Sequence, residues 1–419
     1  MKTRAPFLII SILVLVVSVL ACNTPIPTVT SIPGGTTSEP EGVTATEPPV
    51  LPPPALATLR VVYIKADNVW LWTEGTGILQ LTAAGGARNP VLSSDGQVVA
   101  FNRNGELWVV NADGTNEHQL VSTAYLSGLV SGGDTAEVKD ILWRPGTHTI
   151  FFNTVVVAAI VGYRIPQADL QSIEADGIVD AITYLESAGS GGDPYFSPDG
   201  NIVALSQPDK IIFLEVSSAF WNVALTFPNV LTYSEWSYYP EIVWLPDSSG
   251  VRVAIPAADP LGDPSQPSTF WNVPVSGSPS ILTTFIAAPA FASFPYISPD
   301  ASAVLYTAEN PGGVEIHSIR TDGTDTLYTS YPSGTIEIEG WTPDSLHFMV
   351  HHLPTQINIM AVGEDIVLGD TPSVSKVQWI DSTRFIFLNG TELRISTLGS
   401  ASSPIDTGVN EYNFGIWIH

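Results

Sequence analysis

One phrase recurs along this chain and limits what it can fold into. An apolar or aromatic pair is followed by Ser/Thr-Pro-Asp-Gly or a relative, and then by a β-branched run. The fullest copies are Tyr195-Phe196-Ser197-Pro198-Asp199-Gly200 before Ile202-Val203-Ala204-Leu205, and Tyr296-Ile297-Ser298-Pro299-Asp300 before Ala303-Val304-Leu305-Tyr306. Val91-Leu92-Ser93-Ser94-Asp95-Gly96 precedes Val98-Val99-Ala100-Phe101, and looser copies surround Pro145, Pro246, Pro343 and Ile380. The seven copies follow one another at steps of 37 to 53 residues. Such a period marks a repeat architecture. Pro presets φ for the first corner of a turn, Asp-Gly tolerates left-handed backbone, and the flanking runs read as strands. Many copies carry a second hairpin, such as Glu106-Leu107-Trp108-Val109-Val110 turning through Asp113-Gly114 to His118-Gln119-Leu120.

Each unit is thus four antiparallel strands, a to d, that cannot bury both faces alone. Stacking the units around an axis solves this, and the result is an all-β, β-propeller fold. Leu59 to Leu81 supply strands b, c and d without a strand a. Tyr412-Asn413-Phe414-Gly415-Ile416-Trp417 supplies a strand a with nothing after it. The C-terminal strand is therefore expected to complete the N-terminal blade and close the ring, which removes an exposed sheet edge. This gives eight blades of about 45 residues, with seven as the alternative.

The phrases resemble the TolB-type, WD40-like (PD40) propeller repeat of bacterial envelope proteins. The resemblance spans essentially all of residues 59–419. It stops short of TolB itself, whose propeller follows an α/β domain; here a Pro/Thr-rich segment precedes the ring.

Residues 1–21 read as a lipoprotein signal peptide. Lys2 and Arg4 are followed by an apolar run that ends Val19-Leu20-Ala21-Cys22. That sequence resembles a lipobox, and Cys22 is the only cysteine of the chain. Cys22 is therefore the expected lipidation site and cannot form an internal disulfide. Residues 22–58 are the lipid-anchored tether: from 23 to 58 there are nine Pro, eight Thr and no aromatic residue. Such a segment cannot bury a core and extends at about 3.1 Å per residue, reaching roughly 100 Å. The expected address is extracytoplasmic and membrane-anchored, at the cell surface or on the periplasmic side.

Charge excludes more than it names. There are 41 acidic and 15 basic side chains, a net charge of −26. This argues against nucleic acid and against polybasic anchoring to anionic lipid. No Gly-x-Ser-x-Gly, His-Glu-x-x-His or P-loop is present, so no catalytic residue, cofactor or metal ligand is assigned. His347, His351 and His352 form the one local histidine group, but on a strand their spacing does not act as it would on a helix.

The short turns are a–b and c–d. The long connections are b–c (154–169 and 256–268) and d–a (122–137, 227–239 and 284–294), and all belong to one face. That face is the expected binding surface, with Tyr125, Tyr163, Arg164, Trp236, Tyr238, Tyr239, Phe291 and Phe294 as its candidate residues. The repeated strand-a tryptophans read as structural. The expected function is a non-catalytic, monomeric scaffold that binds a protein or an envelope polymer. The alternatives are a propeller lyase or glycan-processing enzyme with an axial site, and a carbohydrate-binding module.

Overall fold

The computed structural model describes residues 58–418, apart from 161, 168, 187–191, 235, 289–295, 333–335, 353–355, 362–363 and 369–373. The chain divides into Met1–Ala55 and Leu56–His419, and the described residues belong to the second unit.

The described residues form seven four-stranded antiparallel sheets and one five-stranded sheet. Each is a blade, and the chain runs through it from the innermost strand outward. The first strands of blades 2 to 8 are Ala87–Leu92, Thr135–Trp143, Asp193–Phe196, Ile242–Trp244, Tyr296–Ile297, Ile336–Trp341 and Val374–Trp379. Blade 1 is shared. Leu59–Lys65, Asn68–Thr73 and Gly77–Gln80 pair in order, and the C-terminal strand Val409–Ile418 pairs with Leu59–Lys65 from the inside. The expected closure is therefore present. The fold is a β-propeller, and one short helix, Thr123–Gly128, is described.

Every seam between neighbouring blades carries its own apolar cluster. Val62, Leu71, Val99 and Phe101 join blades 1 and 2, and Phe151, Leu170, Val203 and Ile212 join blades 3 and 4. Leu59, Tyr63, Ile386 and Leu388 join blade 8 to blade 1. The remaining five seams are filled in the same way. The β-branched runs after each turn therefore feed inter-blade cores, where burial stabilises each aliphatic side chain by about 1.5–3 kcal/mol.

The recurring phrase carries two structural devices, and blade 7 has both, since Thr342 Oγ1 donates to Asp344 at 2.6 Å and accepts from the His347 N–H at 3.0 Å. In blades 2, 4 and 6 the turn is locked by its serine. Ser197 Oγ donates to Asp199 at 2.6 Å and accepts from the Ile202 N–H at 3.0 Å. Ser298 and Ser93 repeat these contacts with Asp300 and Ala303, and with Asp95 and Val98. In blades 3, 5 and 7 the inner-strand tryptophan reaches back to the preceding blade. Trp143, Trp244 and Trp341 donate Nε1–H to the carbonyls of Val91, Tyr195 and Tyr296 at 3.0, 3.0 and 3.2 Å. The structural reading of these tryptophans holds, because each ties two blades together. Trp379 of blade 8 follows another tryptophan blade, and its buried indole N–H finds no hydrogen-bond partner among the described residues.

Two connections differ from expectation. Residues 154–157 are not loop: they extend the second strand of blade 3, Thr149–Val157. The following residues double back as Arg164–Pro166 and pair with its end, which makes blade 3 the five-stranded sheet. In the 122–137 segment, Ser122 caps the Thr123–Gly128 helix by accepting the Tyr125 N–H, and the first strand of blade 3 already begins at Thr135.

Candidate functional site

The long connections 122–137, 154–169, 227–239 and 256–268 stand on one face as two packed mounds, while most of 284–294 lies outside the described residues. On blade 3, the Ala159 N–H donates to Asp134 at 2.9 Å, joining the helix-bearing segment to the 158–163 hairpin turn. Between blades 4 and 5, the Leu231 N–H donates to the Ala258 carbonyl at 2.8 Å, and Tyr233 Oη donates to Asp259 at 2.9 Å. The second mound encloses a cleft of about 530 Å³ lined by Pro208, Leu231, Tyr233, Trp236 and Tyr238.

The candidate residues divide by burial. Tyr163 and Trp236 are exposed, at 57% and 45%. Arg164 is exposed and ion-paired with Glu137 at 2.7 Å. Tyr125 is half-buried and donates to Gln171, and Tyr239 is half-buried. Tyr238 is buried and packs under the loop instead of facing solvent, and burial raises its hydroxyl pKa. Phe291, Phe294 and Cys22 lie outside the described residues. Exposed Tyr233, an aromatic residue of the same loops, stands beside them, with exposed aliphatic residues outside the sequence candidates: Ile160, Leu231 and Leu261. Their signal was the mere length of the loops, since isolated apolar residues in a loop show no periodicity.

A second arrangement lies along the innermost strands. The ladders between the first and second strands shift register at Arg88/Val91, Val138/Ile141, Ile338/Gly340 and Ser375/Val377. A β-bulge re-aims the side chain it inserts. Here the intervening residues include Asn89, Lys139, Asp140, Glu339 and Lys376. Lys139 bridges Asp140 at 2.8 Å and Asp193 of blade 4 at 2.9 Å. Glu241, at the head of the inner strand of blade 5, is reached by solvent, and with burial its charge raises the hydroxyl pKa of Tyr195, Tyr238 and Tyr296. Loss of hydration pushes its carboxyl up to about 7, against the pull of the Ile297 N–H.

In blade 7 the register pairs Glu337 with His351, and the bulge inserts Glu339 beside them. His351 is buried at 7% exposure, and its Nδ1 lies 3.7 Å from Glu339 Oε1. Burial and the negative Glu337 both raise the Glu339 pKa. Of the three histidines singled out by sequence, the structure brings His351 to two carboxylates that local spacing did not reveal, because they come from the adjoining strand.

Two further clefts are polar. One of about 640 Å³ lies between blades 2 and 3, lined by Arg88, Asn104, Glu137, Lys139, Asp140 and Arg164. The other, of about 1130 Å³, opens on the opposite short-turn face beside Asp95, Asp113, His118, His148 and Asp176. There His148 is ion-paired with Asp95 at 2.8 Å, and both ring nitrogens of His118 contact backbone carbonyls.

No family model and no curated protein matches the chain. Among solved structures it is similar to the Dos1 propeller, with a TM-score of 0.53 and 12% identity over 80% of this chain and 86% of that one. It is similar to a eukaryotic initiation factor, with a TM-score of 0.50 and 10% identity over 86% of this chain and 98% of that one. It is also similar to dipeptidyl peptidase 4 of Porphyromonas gingivalis, with a TM-score of 0.51 and 13% identity over 72% of this chain and 48% of that one. At such identities the likeness establishes the propeller fold and nothing finer, since one fold hosts many functions.

Proposed function

We propose that this protein is a non-catalytic, TolB-like propeller, held outside the cytoplasm by lipid on Cys22, that captures a protein or envelope polymer through its long-loop face. The observation that carries this reading is the pair of mounds. They raise Ile160, Tyr163, Leu231, Tyr233, Trp236 and Leu261 into solvent above one face, and exposed aromatic and aliphatic groups of this kind anchor macromolecular interfaces. Their loops are pinned by their own hydrogen bonds, so less ordering cost falls on binding. No helix among the described residues is long and apolar enough to cross a membrane. The anchor in this reading is the lipid, set off by the 22–58 tether.

Two experiments test the reading. Metabolic labelling with an alkyne fatty acid should mark the wild type and not Cys22→Ser, which should leave the membrane fraction; equal labelling of both removes the anchor. Replacing residues 229–237 by a short Gly-Ser link should weaken capture of envelope components by the purified protein; unchanged capture removes the face. An axial-site enzyme is the second reading, favoured by the Glu241 carboxylate and by the Glu337/Glu339/His351 group near the inner strands.

A further inference from the structure

We infer that Glu337, Glu339 and His351 form a binding site for a divalent transition-metal ion at the inner edge of blade 7. The inference is independent of the loop-face reading. One ligand atom from each residue can be chosen so that all three lie within 4.8 Å of one another. An ion held at about 2.1 Å by each donor needs them no more than ~4.2 Å apart, so modest side-chain adjustment closes the site.

The backbone explains why the three meet. Glu337 and His351 are register partners on adjacent strands, and the bulge between Ile338 and Gly340 inserts Glu339. Ile336 and Ile338 pack into the seam with blade 6, whereas Met349 packs into the seam with blade 8. His351, two residues on from Met349, is turned to the blade 8 side and held there by burial. The imidazole is thus fixed before any ion arrives, and the two carboxylates remain half open.

Two features of the group are ones that a metal ion would complete. The closest His351–Glu339 approach, 3.7 Å, is longer than a hydrogen bond. Two carboxylates against one imidazole also leave a net negative charge even when the ring is protonated. A dication would relieve the repulsion between Glu337 and Glu339. The imidazole nitrogen favours zinc over calcium and magnesium, and the two carboxylates make manganese the second ion to test. Three protein ligands leave a coordination position for water or another ligand on the carboxylate side.

The test is isothermal titration of the untagged full chain, stripped with chelator, with zinc chloride and separately with manganese chloride, followed by elemental analysis after gel filtration. The expected result is about one ion per chain for at least one of the two metals. Affinity for that metal should fall at least roughly 10-fold in Glu337→Gln and further in His351→Ala. Circular dichroism confirms folding; if His351→Ala does not fold, the half-buried Glu337→Gln carries the test alone. Absence of stoichiometric binding of both metals, or unchanged affinity in Glu337→Gln, overturns the inference.

Discussion

Beside the strand pairing and apolar cluster that close the ring, the closing seam carries a polar contact that a single substitution removes. Asp406, on the outer strand of blade 8 (Ser403–Thr407), reaches across the closing seam to the second strand of blade 1. It accepts from Tyr63 Oη at 2.7 Å and from Lys65 Nζ at 2.6 Å. Tyr63 is fully buried, and the Asp406 side chain is 10% exposed against 29% for Lys65. Burial raises the Asp406 pKa, but hydrogen bonds from Lys65, Tyr63 and the Thr407 N–H, with the Lys65 charge, outweigh it and hold the carboxyl low. Asp406→Ala removes a charged hydrogen bond and strands a buried hydroxyl, at about 1–3 kcal/mol, while the more exposed Lys65 pair adds at most about 1 kcal/mol. The expected total is about 1–4 kcal/mol, measured as a shift of the urea midpoint followed by tryptophan fluorescence.

The double variant with Tyr63→Phe should recover part of that cost, because the stranded hydroxyl is then gone. The pH dependence has a fixed sign. A depressed folded-state pKa contributes stability that is present above the unfolded value of about 3.9 and lost as pH falls through the folded value. The gap between wild type and Asp406→Ala should therefore be constant from pH 6 to 8 and shrink below pH 4. A cost under about 0.5 kcal/mol, or strict additivity with Tyr63→Phe, would refute the reasoning.

Ala301 takes a left-handed backbone, φ 59°, where blades 2 and 4 place Gly96 and Gly200. Ala301→Gly should stabilise the protein by about 0.5–1 kcal/mol by urea unfolding, since the steric cost removed exceeds the chain entropy added; destabilisation would contradict this. Glu241 has a raised folded-state pKa of about 7, so stability should fall as pH rises from about 4.5 to 7 and then level off. Solvent reaches the carboxyl and keeps the effect modest. Glu241→Gln should match wild type at pH 4.5 and exceed it at pH 8; an equal difference at both pH values would show that the carboxyl titrates normally.

The propeller was legible because its signals are local. A Ser-Pro-Asp-Gly turn is closed by hydrogen bonds within five residues, as Ser197 to Ile202 shows, and the apolar runs beside it declare their strands. Closure by Val409–Ile418 was legible because blade 1 lacked a first strand and the C-terminus offered one. What escaped is set by register and by burial in three dimensions. Nothing local distinguishes the buried Tyr238 from the exposed Trp236 two residues earlier. The Glu337–Glu339–His351 group depends on a bulge between adjacent strands. The Thr123–Gly128 helix and the Arg164–Pro166 strand are short elements formed within long connections, where periodicity has too few residues to register.

The central claim is that one face of the ring does the binding. It is tested most directly by immobilising three forms of the protein over the same envelope extract: wild type, Tyr163→Ala/Trp236→Ala on the long-loop face, and Ile178→Ala/Phe220→Ala on the short-turn face, all exposed positions. The account predicts specific, saturable capture by wild type that the short-turn variant keeps and the long-loop variant loses by at least about 10-fold. Capture lost in the short-turn variant and kept in the long-loop variant would contradict it.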